Sequence, residues 1–387
     1  MIDRILLCEF KRLLQSFSVV ILTGPRQSGK TTLCQMLQDG YSYVNLENVA
    51  VREMIAGSPM DFLREKGDKL IIDEAQRLPD LFSYIQVVVD EHPERRIILT
   101  GSNNFTLMER ITQSLAGRAA LLTLLPLSLS ELGGANDCTT DEILFRGGFP
   151  AVWGAGKEPY DVYGNYYATY VERDLRQVAE IRNLSQFEHF MRLLAGRVGS
   201  EVNASRYAAE IGVSSNTIQQ WLSVLEASYI VFRLPPYSRN IGKRIVRANK
   251  LYFYDTGLAC FLLGIQHPDH IRQHPLRGEL FENMVVTEFL KKSFNNGRRP
   301  NLFFYRDNQQ KEVDVIEETS YHSINAYEIK SARIYNGSFG AGLNYLHKLF
   351  GDEVKQSQVI YDGDEELVSD RIGYRNVRSF FSEKPPQ

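Results

Sequence analysis

The residues with the clearest chemical purpose lie between positions 24 and 31, where GPRQSGKT sets Gly24, Gly29, Lys30 and Thr31 at the Walker A spacing. Glycines allow a tight turn that aims backbone amides at phosphate oxygens. Pro25, Arg26, Gln27 and Ser28 complete that loop, and Thr32 follows it. Lys30 is expected at the β- and γ-phosphates of ATP or another nucleoside triphosphate, and the Thr31 hydroxyl on Mg²⁺. KLIIDEAQ supplies a partner motif, an apolar run that ends on Asp73 and Glu74. Asp73 is expected to hold Mg²⁺ through water, and Glu74 to polarise the attacking water. A third run, RRIILTGSNN, ends in Thr100, Ser102, Asn103 and Asn104. Ser102 is the favoured γ-phosphate sensor, although all four are also turn formers. Arg118 reads either as an arginine finger acting on a neighbouring subunit's nucleotide or as an ion-paired surface residue.

An acidic set occupies the last third. Glu282 lies near the start of RGELFENMVVTEFLKKSF, Asp314 in EVDVIEE, and Glu328 and Lys330 in NAYEIKSA. Strand alternation puts Glu328 and Lys330 on one face, with Tyr327 and Ile329 on the other. This is the PD-(D/E)XK arrangement. Asp314 and Glu328 are expected to hold Mg²⁺, Glu282 to complete the ligands, and Lys330 to orient water or steady the charged phosphate. Alternating charges also solvate an ordinary half-buried sheet, so fold and cutting are separate expectations.

Between these sites, SRYAAEIGVSSNTIQQWLSVLEASYIVFRLP has helix-turn-helix spacing, with Ala208 small enough for two helices to cross closely, Gly212 permitting the turn, and Ile218, Leu222 and Leu225 facing inward. Ser214, Ser215, Asn216, Thr217, Gln219 and Gln220 can meet base edges or phosphates. The following YIVFRL strand suggests a winged helix. Arg239, Lys243, Arg244, Arg247 and Lys250 then form an acid-free cationic run, the candidate DNA contact. Winged helices also serve as protein-docking modules, and that reading stays open.

These side chains need elements to position them. Val19–Leu22, Leu70–Ile72 and RRIILT read as buried parallel strands, TTLCQMLQ as a helix and YSYVNLEN as another strand. Together they predict a helix-covered parallel sheet in which other strands separate the acidic strand from the phosphate-loop strand, as in the AAA+ branch of P-loop proteins. Asp3, Arg4, Glu9, Lys11 and Arg12 interrupt the N-terminus, so Ile5, Leu6, Phe10, Leu13 and Leu14 predict a packed amphipathic helix and not a signal segment. RGELFENMVVTEFLKKSF reads as an amphipathic helix as well. AALLTLLPLSL is short and holds Pro126, so no membrane span is expected. Cys8, Cys34, Cys138 and Cys260 lack metal-ligand spacing and read as reduced thiols of a cytoplasmic protein. At 387 residues, two or three domains are expected, and a net charge of −3 requires any nucleic-acid contact to be a local patch.

The chain resembles a bacterial and archaeal family of AAA+ ATPases with a winged helix and a C-terminal PD-(D/E)XK nuclease-like domain. The resemblance rests on LTGPRQSGKTTL, LIIDEAQ, LTGSNN, SLAGRAALLTLLPLSLSEL, FRGGFPAVW, YVERDL, KLYFYDTGLA, GELFENMVVTE and EVDVIEE…YEIKSA. It implies an α/β multidomain fold: a P-loop AAA+ (ASCE-type) parallel-sheet core at 1–145, a helical connector at 146–190, a winged helix-turn-helix at 191–255 and a PD-(D/E)XK restriction-endonuclease-like domain at 256–387. It also implies ATP and Mg²⁺ as cofactors, DNA as a candidate partner, and a homo-oligomer if Arg118 acts in trans. The expected function is an ATPase coupled to a nucleic-acid-acting, nuclease-like half. The alternatives are a nucleotide-dependent switch whose C-terminal half only binds DNA or protein, and a chaperone-like regulator that touches no nucleic acid.

Overall fold

The computed structural model describes residues 2–37, 40–102, 114–132, 137–170, 181, 183–239, 248–369 and 371–382. The chain folds as two units. The first holds Met1–Pro126 with Ala227–Tyr229 and Lys292–Arg299, and the second holds Leu127–Glu226, Ile230–Lys291 and Pro300–Gln387. The expected divisions at 145, 190 and 255 all fall inside the second unit.

In the first unit, β1 (Val19–Thr23), β2 (Ser42–Asn45), β3 (Lys69–Asp73), β4 (Arg96–Thr100) and β5 (Ala119–Thr123) form a parallel sheet in the order β2-β3-β4-β1-β5. The acidic strand β3 is thus parted from the phosphate-loop strand β1 by β4, as the sequence predicts. Both faces of the central strands are buried, which is why residues 19–22, 70–72 and 97–99 are apolar. Val19, Ile21, Ile72, Ile97 and Leu99 pack on one side with the helix Leu81–Glu91. Val20, Leu22, Ile71 and Ile98 pack on the other with Leu6, Phe10, Leu13 and Leu14 of the helix Leu6–Ser16. Ile5 departs from its predicted place on that packed face. It precedes the helix and is exposed.

The second unit contains the helices Leu184–Ala195, Ala204–Ile211 and Ser215–Ala227, then the antiparallel pair β6 (Val231–Leu234) and β7 (Lys250–Phe253). Gly212 makes the turn between the last two helices with φ 78°. Ile218, Trp221, Leu222 and Leu225 are buried, and Trp221 meets Phe187 and Phe190 at ring distances of 5.3 and 5.5 Å. The C-terminal sheet has the order β12-β11-β10-β9-β8, from β8 (Leu302–Arg306), β9 (Glu312–Ser320), β10 (Ser323–Lys330), β11 (Val354–Tyr361) and β12 (Gly373–Asn376). Strands β8, β9 and β10 pair antiparallel, whereas β10, β11 and β12 pair parallel.

The helix Arg277–Asn295 corrects a sequence expectation. It is not amphipathic in its setting, because Asn283, Thr287, Glu288 and Lys291 are buried together with its apolar residues. Each polar group has a specific partner, which is what makes such burial tolerable. Asn283 exchanges two hydrogen bonds with the Phe253 backbone. Glu288 accepts the Leu129 amide, and Lys291 pairs with Glu288 while donating to the Leu127 carbonyl. Among the described residues, no helix is long and apolar enough to cross a membrane.

Candidate functional site

The first unit gathers most of the Walker residues at the carboxyl ends of β1 and β3. The loop Gly24–Gly29 turns out of β1, and Gly24 has φ 141°. A Cβ there would collide with the Leu124 carbonyl, so this position requires glycine. Lys30 is buried, and its Nζ donates to the carbonyls of Gly24 (2.9 Å) and Pro25 (2.7 Å). Burial lowers its pKa to about 8. Arg26 approaches Glu47 at 3.7 Å, and Gln27 adopts φ 63°. The Ser28 hydroxyl oxygen is buried without a hydrogen-bond partner, and Thr32 lies in the first turn of the short helix Lys30–Gln35.

Asp73 is the hub. Its Oδ2 accepts the hydroxyls of Thr31 and Tyr43, each at 2.7 Å. Its Oδ1 accepts the Thr100 hydroxyl and the Glu74 amide, the latter at 3.1 Å. Glu74 sits in the left-handed region, φ 56° and ψ 44°, which is costly for a residue with a side chain and tends to mark functional turns. Burial raises its pKa, and the Gln76 side-chain amide donates to its carboxylate.

These residues fit a Mg²⁺-bound triphosphate. Gly24 turns the backbone where no side chain fits, the buried Ser28 hydroxyl is left unpaired, and Thr31 touches Asp73, the acid that would stand beside the metal. Lys30, now resting on carbonyls of its own loop, is the group that phosphate oxygens would draw away.

Two site residues, Tyr43 and Arg4, escaped the sequence reading. Tyr43 comes from β2, and no spacing rule links it to Asp73. Arg4, buried just before the first helix, donates to the carbonyls of Ser28 (2.7 Å) and Leu125 (2.6 Å) and so pins the loop. Thr100 was one of four polar candidates, and it bonds Asp73. Ser102 is buried beyond the end of β4, while Asn103 and Asn104 lie outside the described residues. Arg118 precedes β5, so it sits at the sheet end opposite the phosphate loop. It pairs with Asp90 through two contacts, of 2.5 and 2.8 Å.

The acidic residues of the second unit behave differently. Asp314 Oδ2 accepts the Ile329 amide at 2.7 Å and lies 3.6 Å from Lys330 Nζ, which is 3.0 Å from Glu328. Burial, then the neighbouring Asp314, pushes the Glu328 carboxyl up to about 9. Burial opposes the charge on Asp314 too, but Lys330 and Lys250 outweigh it and hold its pKa low. Gly342 of the helix Ala341–Phe350 covers this pair so closely that a Cβ would collide with Glu328 Oε1.

Glu282 does not join Asp314 and Glu328 as a third ligand. Its Oε1 accepts Lys250 Nζ at 2.9 Å and the Tyr252 hydroxyl. Among the described residues, no group of three His, Cys, Asp or Glu side chains is assembled to hold a metal ion. The Mg²⁺ expected at Glu282, Asp314 and Glu328 therefore does not fit the residues as they are arranged. The cationic run is also divided. Lys250 is buried, and Arg239 pairs with Glu353 at 2.8 Å while lying over the Phe350 ring. Neither is a free surface cation, and Lys243, Arg244 and Arg247 lie outside the described residues.

The phosphate loop, acidic strand end and parallel sheet define the first unit as a P-loop ATPase-like domain. Consistent with this, residues 16–133 match the family model described as an AAA domain. Residues 139–269 and 277–378 match two domains of unknown function, DUF8612 and DUF4143. The chain belongs to the family of Uncharacterized protein Rv2008c of Mycobacterium tuberculosis, to which it is 32% identical over 318 residues, 81% of this chain and 70% of that protein. It is 22% identical over 314 residues to an uncharacterized protein of Haemophilus influenzae, covering 72% of this chain and 75% of the relative. The Walker-type ATPase PABY2304 of Pyrococcus abyssi aligns at 15% identity with a TM-score of 0.46, covering 68% of this chain and 96% of that one.

Proposed function

We propose that this chain is a Mg²⁺-dependent ATPase whose nucleotide cycle controls a DNA-contacting second unit. The observation that carries the ATPase reading is the junction of Thr31, Asp73 and the strained Glu74 beside the phosphate loop. In this reading the loop amides and Lys30 would hold the phosphates, and Thr31 and Asp73 would hold Mg²⁺, which would supply charge to neutralise the phosphate oxygens. Glu74, at the turn after β3, accepts the proton of the attacking water.

Three helices followed by an antiparallel pair support a winged helix. Its helix Ser215–Ala227 exposes Ser215, Asn216, Gln219 and Gln220. The mixed sheet with Asp314, Glu328 and Lys330 supports a PD-(D/E)XK-like domain. The test is duplex-DNA affinity measured with ATP and with ADP across a salt series. Affinity is expected to differ between nucleotides and to fall steeply with salt. The double change Gln219→Ala and Gln220→Ala is expected to weaken it by about tenfold, the scale of one good base contact. Binding that is absent or indifferent to salt removes the DNA reading.

Arg118 is proposed as a finger in trans. Turnover per protomer then rises with protein concentration, and Arg118→Ala abolishes hydrolysis while sparing ATP binding. Turnover that is flat with concentration leaves Arg118 its Asp90 pair alone.

A second reading has its own support: the carboxylates of the C-terminal sheet are already satisfied by internal cations. It makes the second unit a recognition module that does not cut.

A further inference from the structure

Lys250 occupies the centre of an acidic cluster that no nucleotide chemistry uses. It opens β7, is 4% exposed, and its Nζ lies 2.9 Å from Glu282 Oε1 and 2.5 Å from Glu312 Oε1. The Phe304 ring centroid is 5.5 Å away, and Tyr252 donates its hydroxyl to the same Glu282 oxygen. Arg306 Nε takes the other side of Glu312 at 3.0 Å. Lys330 serves Glu328 and Asp314 from β10. Two strands, β9 and β10, and one helix therefore deliver four carboxylates, and each already faces a nitrogen cation.

Buried carboxylates survive only when paired or when they ligate a metal. A hard divalent ion needs several oxygen ligands with free lone pairs at 2.0–2.6 Å, roughly the reach that ammonium protons now claim. We infer that Lys250 is the resident cation of this cluster and stands where a divalent ion would have to bind, so that the second unit recognises its target without cleaving it. This rests on the recognition-module reading above and gives it a mechanism. Lysine in place of a metal also ties β7, the last strand of the helix–strand segment, to the helix Arg277–Asn295 and to β9. The cluster thus joins two parts of the second unit permanently and needs no ion to do so.

The test is Mn²⁺ binding to the nucleotide-free full chain, followed by electron paramagnetic resonance, for wild type, Lys250→Met, and Lys250→Met combined with Glu282→Gln. Methionine keeps an unbranched stem beside Phe304 and removes the charge. Wild type is expected to show no Mn²⁺ site that depends on Glu282. Lys250→Met is expected to gain one, at least tenfold tighter than anything in wild type, and Glu282→Gln to abolish it. One tight Mn²⁺ per wild-type chain, lost with Glu282→Gln, overturns the inference, as does a folded Lys250→Met protein that binds none. If Lys250→Met does not fold, the comparison of wild type with Glu282→Gln alone decides in the same way. A parallel assay of DNA and RNA cleavage in Mn²⁺ tests the reading beneath it. Cleavage by wild type that disappears in Glu328→Ala removes the recognition module, whereas Mn²⁺ binding without cleavage removes only the role given to Lys250.

Discussion

Lys30→Ala is expected to lower ATP turnover by roughly 10²–10³-fold while the protein remains folded, as removal of one preorganised charge at a transition state does. The side chain is buried and donates to two carbonyls of its own loop, so its loss unpairs groups within that loop and leaves the sheet beneath it intact. Glu74→Gln is expected to retain ATP binding and to lose about 10²–10⁴-fold in turnover, because glutamine keeps the shape and cannot take a proton. Equilibrium binding of a fluorescent ATP analogue separates the two variants, and phosphate release measures both. Turnover of both at the wild-type rate would remove the ATPase reading. The pH profile carries the same argument. Burial depresses the Lys30 pKa to about 8, so its charge is present below that value and is lost as pH rises through it. For the free protein, kcat/KM for ATP is therefore expected to decline through about pH 8. The raised pKa of Glu74 acts at the other end, moving the acid limb above the ordinary glutamate value.

Asp255→Ala is expected to be the most destabilising single change in the second unit. Asp255 is buried and caps the helix Thr256–Leu262 by accepting the Gly257 amide at 2.9 Å. Its other oxygen accepts the Gly148 amide at 2.7 Å, from a segment 107 residues earlier. Tyr163, fully buried, also bonds this carboxylate, and its hydroxyl is 3.0 Å from the Arg146 carbonyl. Alanine would leave several buried donors unpaired, at about 1–3 kcal/mol each, for a total of at least about 3 kcal/mol. On a unit of this size that corresponds to a fall of roughly 6–12 °C in Tm. Calorimetry reads it directly, and a shift under about 2 °C would show that the carboxylate is dispensable.

The contrast between these two sites separates what is legible in the chain from what is not. The phosphate loop, Asp73 and Glu74 follow from sequence because they obey local rules. A glycine turn between strand and helix, and an acid at a strand end, work at fixed spacing wherever they occur. The parallel sheet, and the separation of the acidic strand from the phosphate-loop strand, were likewise legible, since buried apolar runs alternating with helices admit few arrangements. FRGGFPAVW and KLYFYDTGLA stood out as distinctive runs whose purpose spacing did not reveal. The tertiary structure makes them one joint, the Gly148 and Gly257 amides converging on Asp255. It also reverses two readings made from residue type alone. Lys250, counted with a surface cation run, is buried against Glu282 and Glu312, and the helix Arg277–Asn295 is enclosed where its pattern predicted an exposed face. Tyr43 reaches Asp73, and Arg4 reaches the phosphate loop, from distant chain positions with no motif to announce them. The sequence by itself thus determined the phosphate loop and the acidic strand end, each of which is set within a few residues of backbone. Only the tertiary structure decided which charges meet in the second unit, because a buried charge is defined by its partner, and that partner lies tens to hundreds of residues away.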